Sequence, residues 1–177
     1  MMTEARQKRI NDMQARRQTG FVVLLENITD PHNAEAVLRS CDAFGVSEVW
    51  FVQENVPGFN PRRVGKKTSG SANKWIVFKN WSRIDEALDE LEQRGYVTVG
   101  TVLAADAENI FEARFPESEI ALILGNEHSG LSQVALDRVQ RKLVIPMRGM
   151  VQSLNISVAA AVCIYEITRQ RLVKVQP

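Results

Sequence analysis

Three short stretches of the chain carry the residue types from which a reactive corner could be built. The first is Asn27-Ile28-Thr29-Asp30-Pro31-His32-Asn33, with Arg39 six residues further on. The second is Leu124-Gly125-Asn126-Glu127-His128-Ser129-Gly130-Leu131-Ser132. The third runs Ile145-Pro146-Met147-Arg148-Gly149-Met150-Val151-Gln152-Ser153-Leu154-Asn155-Ile156-Ser157-Val158-Ala159-Ala160. The amides of Asn33 and Asn155 donate and accept at once, which suits sugar hydroxyls and loop backbone. Glu127 is the ionised group between Gly125 and Gly130, and those glycines permit close backbone approach or a left-handed turn. Arg39 is permanently protonated, so it binds anions and is an awkward base. Each stretch follows a short apolar run, and open α/β sheets hold ligands at such corners, outside the carboxyl ends of the strands. The glycine spacing is neither G-x-x-x-x-G-K-[ST] nor G-x-G-x-x-G, which excludes a P-loop and a Rossmann fingerprint. No His/Cys/Asp cluster has ligand spacing, so no metal is expected. His32 reads as a polar loop residue.

The intervening sequence supplies the elements that must position these corners. A basic helix is expected over about Thr3–Arg17. A continuous apolar run marks a buried strand at Phe21–Leu25, and further strands are read at Glu48–Val52, Trp75–Phe78, Tyr96–Leu103, Ile120–Leu124 and Lys142–Ile145. Helical spacing appears over Asn33–Phe44, with Asn33 as a good N-cap and Gly45 as the C-cap. A second such run is Arg83–Gln93, closed by Gly95. Helical turns between Ser132 and Val139, with Ser132 as a cap, separate the last two strands. A final helix opens near Ser153 and ends near Arg171. On this spacing Arg39, close to two turns along its helix, shares a side with Asn33. Strands alternating with helices predict an α/β protein, a mostly parallel sheet flanked by helices. The simplest partition is a basic extension over 1–20, one α/β domain over 21–171 and a short tail over 172–177.

With 177 residues, 45% of them hydrophobic, the chain suffices for one domain with a sizeable core. No apolar run is long enough for a membrane span, and the polar N-terminus lacks a signal peptide's apolar middle. Cys41 and Cys163 lie far apart in apolar helical segments, as buried thiols of a cytoplasmic protein do. Net charge is only +1, but the basic residues cluster. Arg6, Lys8, Arg9, Arg16 and Arg17 crowd the N-terminus; Arg62, Arg63, Lys66, Lys67 and Lys74 fill a glycine-bearing loop; Arg169, Arg171 and Lys174 mark the end. Basic clusters on a near-neutral whole suit a protein that grips phosphate on one face.

Taken in order, the three stretches resemble the three motifs of the SpoU/TrmH family of RNA ribose 2′-O-methyltransferases, and the strand-helix order between them fits as well. The wording Gly149-Met150-Val151-Gln152-Ser153-Leu154-Asn155, the basic N-terminal helix and the Arg169-Gln170-Arg171 ending lean toward the branch that methylates guanosine 18 in the tRNA D-loop. Two departures stand out. Glu35 occupies a position where many members have glycine, and members of the tRNA branch often extend well past Pro177. The resemblance implies a C-terminal deep trefoil knot, a homodimer, an RNA partner (tRNA first) and S-adenosylmethionine as methyl donor. It places the cofactor against Thr101, Gly125, Ile145, Met147 and Leu154. It makes Arg39 the activating residue, with Asn33, Glu127, Ser153 and Asn155 completing the catalytic site.

A ribose hydroxyl is a poor nucleophile until its proton is leaving, so alignment and anion stabilisation are what a protein must add. In this reading Arg39 meets a neighbouring phosphate and the developing alkoxide. The RNA grip is assigned to Arg6, Arg9, Arg17, Arg169 and Arg171. The basic loop is a second grip, with Thr68-Ser69-Gly70 near the target nucleotide. Three alternatives stay open: the same chemistry on ribosomal RNA or another tRNA position, a catalytically silent RNA-binding protein on this fold, and an α/β protein that binds a small nucleotide.

Overall fold

The structure, a computed structural model, describes residues 3–54, 56–58 and 75–172. The basic loop residues Arg62, Arg63, Lys66, Lys67, Thr68, Ser69, Gly70 and Lys74, and the tail 173–177, lie outside the described residues, as does the side chain of Arg9.

Helix α1 (Glu4–Ala15) precedes strand β1 (Gln18–Glu26), helix α2 (Pro31–Ala43) and strand β2 (Val46–Val52). Strand β3 (Val77–Trp81), helix α3 (Ile84–Gln93) and strand β4 (Val97–Thr101) follow. The chain continues through β5 (Glu108–Asn109), β6 (Ile120–Leu124), α4 (Gln133–Arg138) and β7 (Arg141–Val144) to the closing helix α5 (Ile156–Leu172). The strands form one seven-stranded sheet in the order β3-β2-β1-β6-β4-β7-β5, and every neighbouring pair is parallel.

The central strands are buried on both faces, which is why they read as continuous apolar runs. Along β1, Phe21, Val23 and Leu25 enter one core with Ala34, Val37, Leu38 and Cys41 of α2 and Ala160, Cys163, Ile164 and Ile167 of α5. Val22 and Leu24 enter the opposite core with Trp50, with Ile84, Leu88 and Leu91 of α3, and with Ala135 of α4. The expected parallel sheet with helices on both faces is therefore present.

Differences from the sequence reading sit at element ends. β3 runs over Val77–Trp81 rather than Trp75–Phe78: it is a partly exposed edge strand, so its later residues Lys79 and Asn80 are polar and the apolar run marks only its start. β5 has two residues, too few for any periodicity to reveal. Asp30, not Asn33, caps α2: its side chain accepts from the His32 N–H at 2.8 Å and Pro31 takes the first helical position. α5 begins at Ile156 rather than Ser153, with Asn155 Oδ1 accepting from Ser157 N–H at 2.8 Å. Ser132 does cap α4, accepting from Ala135 N–H at 3.2 Å. Gly45 and Gly95 adopt φ of 76° and 74° just after α2 and α3, the left-handed exits expected of them.

Parallel order aligns the carboxyl ends of β1, β6, β4 and β7 on one rim of the sheet. The three polar stretches leave from that rim.

Candidate functional site

Glu127 is the hub of the rim. Its carboxylate accepts from Thr29 N–H at 3.1 Å, Thr29 Oγ1 at 3.1 Å, Asp30 N–H at 3.2 Å and Asn33 Nδ2 at 3.0 Å. Partial burial opposes ionisation, but the donors from Asn33 and from the backbone of Glu127, Thr29 and Asp30 outweigh it and hold the carboxyl at about 2. Asn33 then accepts at Oδ1 from Asn155 Nδ2 at 3.0 Å. One hydrogen-bonded chain, Glu127–Asn33–Asn155, thus joins the loop after β1, the loop after β6 and the loop after β7. Asn155 meanwhile fixes the start of α5, since its own Oδ1 accepts from Ser157 N–H and Oγ.

The loop after β6 closes on itself with Asn126 and Gly130 exchanging backbone hydrogen bonds, both at 2.9 Å. Gly130 takes φ 69°, and a Cβ on Gly125 would stand 2.1 Å from the Gly130 carbonyl carbon, so neither position accepts a side chain. Asn126 was not singled out by its sequence pattern, yet it binds both loops. Its Nδ2 donates to Asn27 O at 2.7 Å, and its Oδ1 accepts from His128 N–H at 2.9 Å and Ser129 N–H at 3.1 Å. An asparagine directly after a strand-end glycine is the signal that finds it, because its side chain readily caps a turn. Asn27 answers from the other side with φ 53° and an Oδ1 that accepts from Glu54 N–H at 2.9 Å. Buried Glu26 accepts from Ser132 N–H at 3.0 Å, anchoring the loop's far end.

Arg39 is exposed and forms no hydrogen bond or ion pair with any described residue. It does not share a side with Asn33: six residues turn a helix by about 600°, which leaves the two about 120° apart. Asn33 faces Glu127 and Asn155, whereas Arg39 lies on the outer face almost in line with His32. Ser153 is exposed in the loop and caps nothing.

The residues assigned to the cofactor gather beside this network. Gly125 is buried, and Ile145, Met147 and Leu154 are half-buried. Thr101 ends β4 and donates its hydroxyl to Ile123 O on β6. From Met147 to Leu154 no backbone group bonds to another described residue. Aliphatic walls beside unused backbone donors and acceptors fit an adenine ring and a sulfonium methyl. Among the described residues, no group of three His, Cys, Asp or Glu side chains is placed to hold a metal ion.

The proposed RNA grip divides. Arg6 is exposed, and only its backbone N–H is engaged, at the Thr3 cap. Arg169 pairs with Glu166 on the same helix at 2.7 Å. Arg17 and Arg171, expected on phosphate, are instead committed inside the molecule. Arg17, 10% exposed, pairs with Asp42 and donates to Val46 O at 2.9 Å. Arg171 reaches Gln18 Oε1 at 3.1 Å, Thr19 O at 2.6 Å and Ser118 O, and burial pulls its pKa down. Sequence shows the charge of these two residues but not the acceptors that folding brings to them.

Known proteins resemble this chain in sequence and in fold. The family described as SpoU rRNA Methylase matches residues 20–165. The tRNA (guanosine(18)-2′-O)-methyltransferase of Thermus thermophilus is 43% identical over 172 residues, spanning 96% of this chain and 85% of that protein. The crystal structure of the TrmH/SpoU tRNA modifying enzyme of A. aeolicus superposes with a TM-score of 0.79 at 31% identity, covering 93% of this chain and 83% of that one. The SpoU methyltransferase AviRb of Streptomyces viridochromogenes, in complex with the cofactor AdoMet, superposes at 0.77 with 28% identity over 92% of this chain and 62% of that one.

Proposed function

The chain belongs to the SpoU methylase family, and on that premise we propose that it methylates the ribose 2′-hydroxyl of guanosine 18 in tRNA. The observation that carries this reading is the Glu127–Asn33–Asn155 chain, which ties together the segments after β1, β6 and β7 that match the family's three motifs.

S-adenosylmethionine supplies a methyl group already activated by its positive sulfur. The residues of the chain supply the rest. Ile145, Met147 and Leu154 wall the donor, with Gly125 and Thr101 shaping its floor. Asn33, Glu127 and Asn155 fix the loops so that the ribose meets a preformed surface, which lowers the entropic part of the barrier. Ser153, exposed at the mouth of that surface, contacts the substrate ribose. Arg39 holds a neighbouring phosphate and the oxygen that becomes negative as its proton leaves. Methyl transfer then forms the O–C bond as the C–S bond breaks, and the proton passes to phosphate or water. Arg6, Arg9 and Arg169 grip RNA backbone, with Arg17 and Arg171 bracing the surface beneath them.

A second copy of the chain completes the assembly. Val158, Val162 and Tyr165 recur at i, i+4 and i+7 along the outer face of α5, all exposed, and fully exposed Met150 and exposed Val151 lead into them. Such an apolar stripe supports a homodimer packed through α5, which light scattering tests. We infer that the C-terminal part forms the deep trefoil knot that the family resemblance implies. The RNA substrate and two buried free cysteines support a cytoplasmic location.

The deciding experiment offers labelled S-adenosylmethionine with tRNA and, separately, with ribosomal RNA, and maps the product. Label at guanosine 18 is the expected result. Label in ribosomal RNA alone keeps the reaction and overturns the tRNA reading. No label in either RNA, with the cofactor bound, overturns the proposal.

A further inference from the structure

Charged side chains around the rim are sorted by direction. In the loop after β1, Asp30 turns inward onto the His32 N–H. In the loop after β6, Glu127 is surrounded by donors from the facing loop. The acids therefore hold the loops together. The cations do the reverse. Arg39 projects from α2 with no described partner, and Arg148 does the same from the loop between β7 and α5.

Arg148 is the only charged residue between Ile145 and Asn155. It is exposed, and it forms no hydrogen bond or ion pair with any described residue, whereas half-buried Ile145 and Met147 beside it face the body of the protein. Away from the rim, arginines that reach an acid are paired with it: Arg94 with Glu48 at 3.0 Å, Arg138 with Asp89 at 2.7 Å, Arg141 with Glu108. An unpaired guanidinium on a loop with no acid of its own is a fork of donors held ready for an outside anion.

We propose that Arg148 binds an RNA phosphate beside the reacting ribose, as a positioning residue for the methyl transfer, resting on the function assigned above. Each end of the Asn33–Asn155 bridge has one of these cations on its own segment: Arg39 belongs to α2, which carries Asn33, and Arg148 to the loop that ends in Asn155. Two guanidiniums so placed hold the backbone on either side of one nucleotide and fix its ribose over the bridge. Phosphate contacts of this kind set register without reading bases.

The test measures tRNA binding by wild type, Arg148→Ala and Arg148→Lys across a salt series, together with cofactor affinity. Loss of one phosphate contact lowers the slope of log K against log salt by about one. Arg148→Ala is expected to show that smaller slope, about tenfold weaker tRNA binding and a matching rise in KM for tRNA. Its cofactor affinity stays at the wild-type level, and Arg148→Lys recovers the slope. An unchanged slope in Arg148→Ala overturns the proposal. So does a loss of cofactor affinity, which would place the guanidinium on the donor's carboxylate instead. If wild type itself methylates no tRNA, the functional reading fails before Arg148 is tested; if wild type methylates tRNA and Arg148→Ala binds it with an unaltered slope, only the Arg148 assignment fails.

Discussion

The two ends of the sheet are both laced together by side chains, but with opposite charges turned inward. At the amino end of β1, arginines do the lacing. Arg17 closes onto Asp42 and the Val46 carbonyl, Arg171 spans Gln18, Thr19 and Ser118, and Gln18 Nε2 reaches Thr168 Oγ1 at 2.8 Å. At the carboxyl end, carboxylates and amides do it, through Glu127, Asn33, Asn155, Asn126 and Glu26. The consequence is electrostatic. The arginines used for the lacing at the amino end, Arg17 and Arg171, are not free for a polyanion, while the carboxyl end, laced by acids and amides, leaves Arg39 and Arg148 outward. The comparison separates frame from function: identical residue types serve stability at one rim and substrate at the other.

The largest effect that tests this contrast is at Arg39. Arg39→Ala removes the exposed cation of α2, and stabilising a developing anion is worth about 3–4 kcal/mol. Turnover is expected to fall by two to three orders of magnitude, roughly, with cofactor affinity and melting temperature nearly unchanged. An equal loss of cofactor binding would move Arg39 from the reaction to the fold. The mirror experiment is Arg17→Ala. It strands Asp42 and the Val46 carbonyl at a largely buried site, so it is expected to destabilise by about 2 kcal/mol while leaving the salt slope of RNA binding close to wild type. A slope reduced by a full contact in a still-folded Arg17→Ala protein would erase the distinction between the two ends.

Much of the carboxyl rim was legible in the sequence, because its signals are local. A strand, a glycine and then a glutamate is a statement about one corner, and Gly125 and Glu127 follow β6 in that pattern, whereas Asn33, read as the cap of α2, stands inside the helix behind Asp30. The partner of each was not legible. Asn33 and Asn155 are 122 residues apart in the chain, and nothing in either neighbourhood names the other. The amino rim was misread for the same reason. Arg17 and Arg171 look like any basic residue until β1, α2 and α5 bring Asp42, Gln18 and the Ser118 carbonyl to them, and a charge count cannot tell a committed guanidinium from a free one. Helix phase was the other gap: moving the start of α2 from Asn33 to Pro31 was harmless for the core, but a six-residue spacing cannot put Asn33 and Arg39 on one face.

The smallest effect expected, and the one that sharpens the contrast most, is the pH dependence of Glu127. Its carboxyl sits at about 2 in the folded protein, below the ordinary value of 4.5 that it regains on unfolding. A depressed folded value means the unfolded chain binds the proton more readily, so the stabilisation is fully present above about 4.5 and is lost as pH falls toward 2. Glu127→Gln keeps one of the two acceptor oxygens, so it serves either Thr29 or the Asp30 and Asn33 donors but not both, and it loses the charge; because the site is partly solvated, the change in stability stays modest. The difference in stability between wild type and Glu127→Gln is therefore expected to be constant from pH 8 to about 5 and to shrink as acid is added below that. Denaturant melts of both proteins across that range check it. A difference that persists undiminished near pH 2 would mean the loops are joined by shape and amide contacts alone. The inward acid would then not explain why the rim's cations stand free.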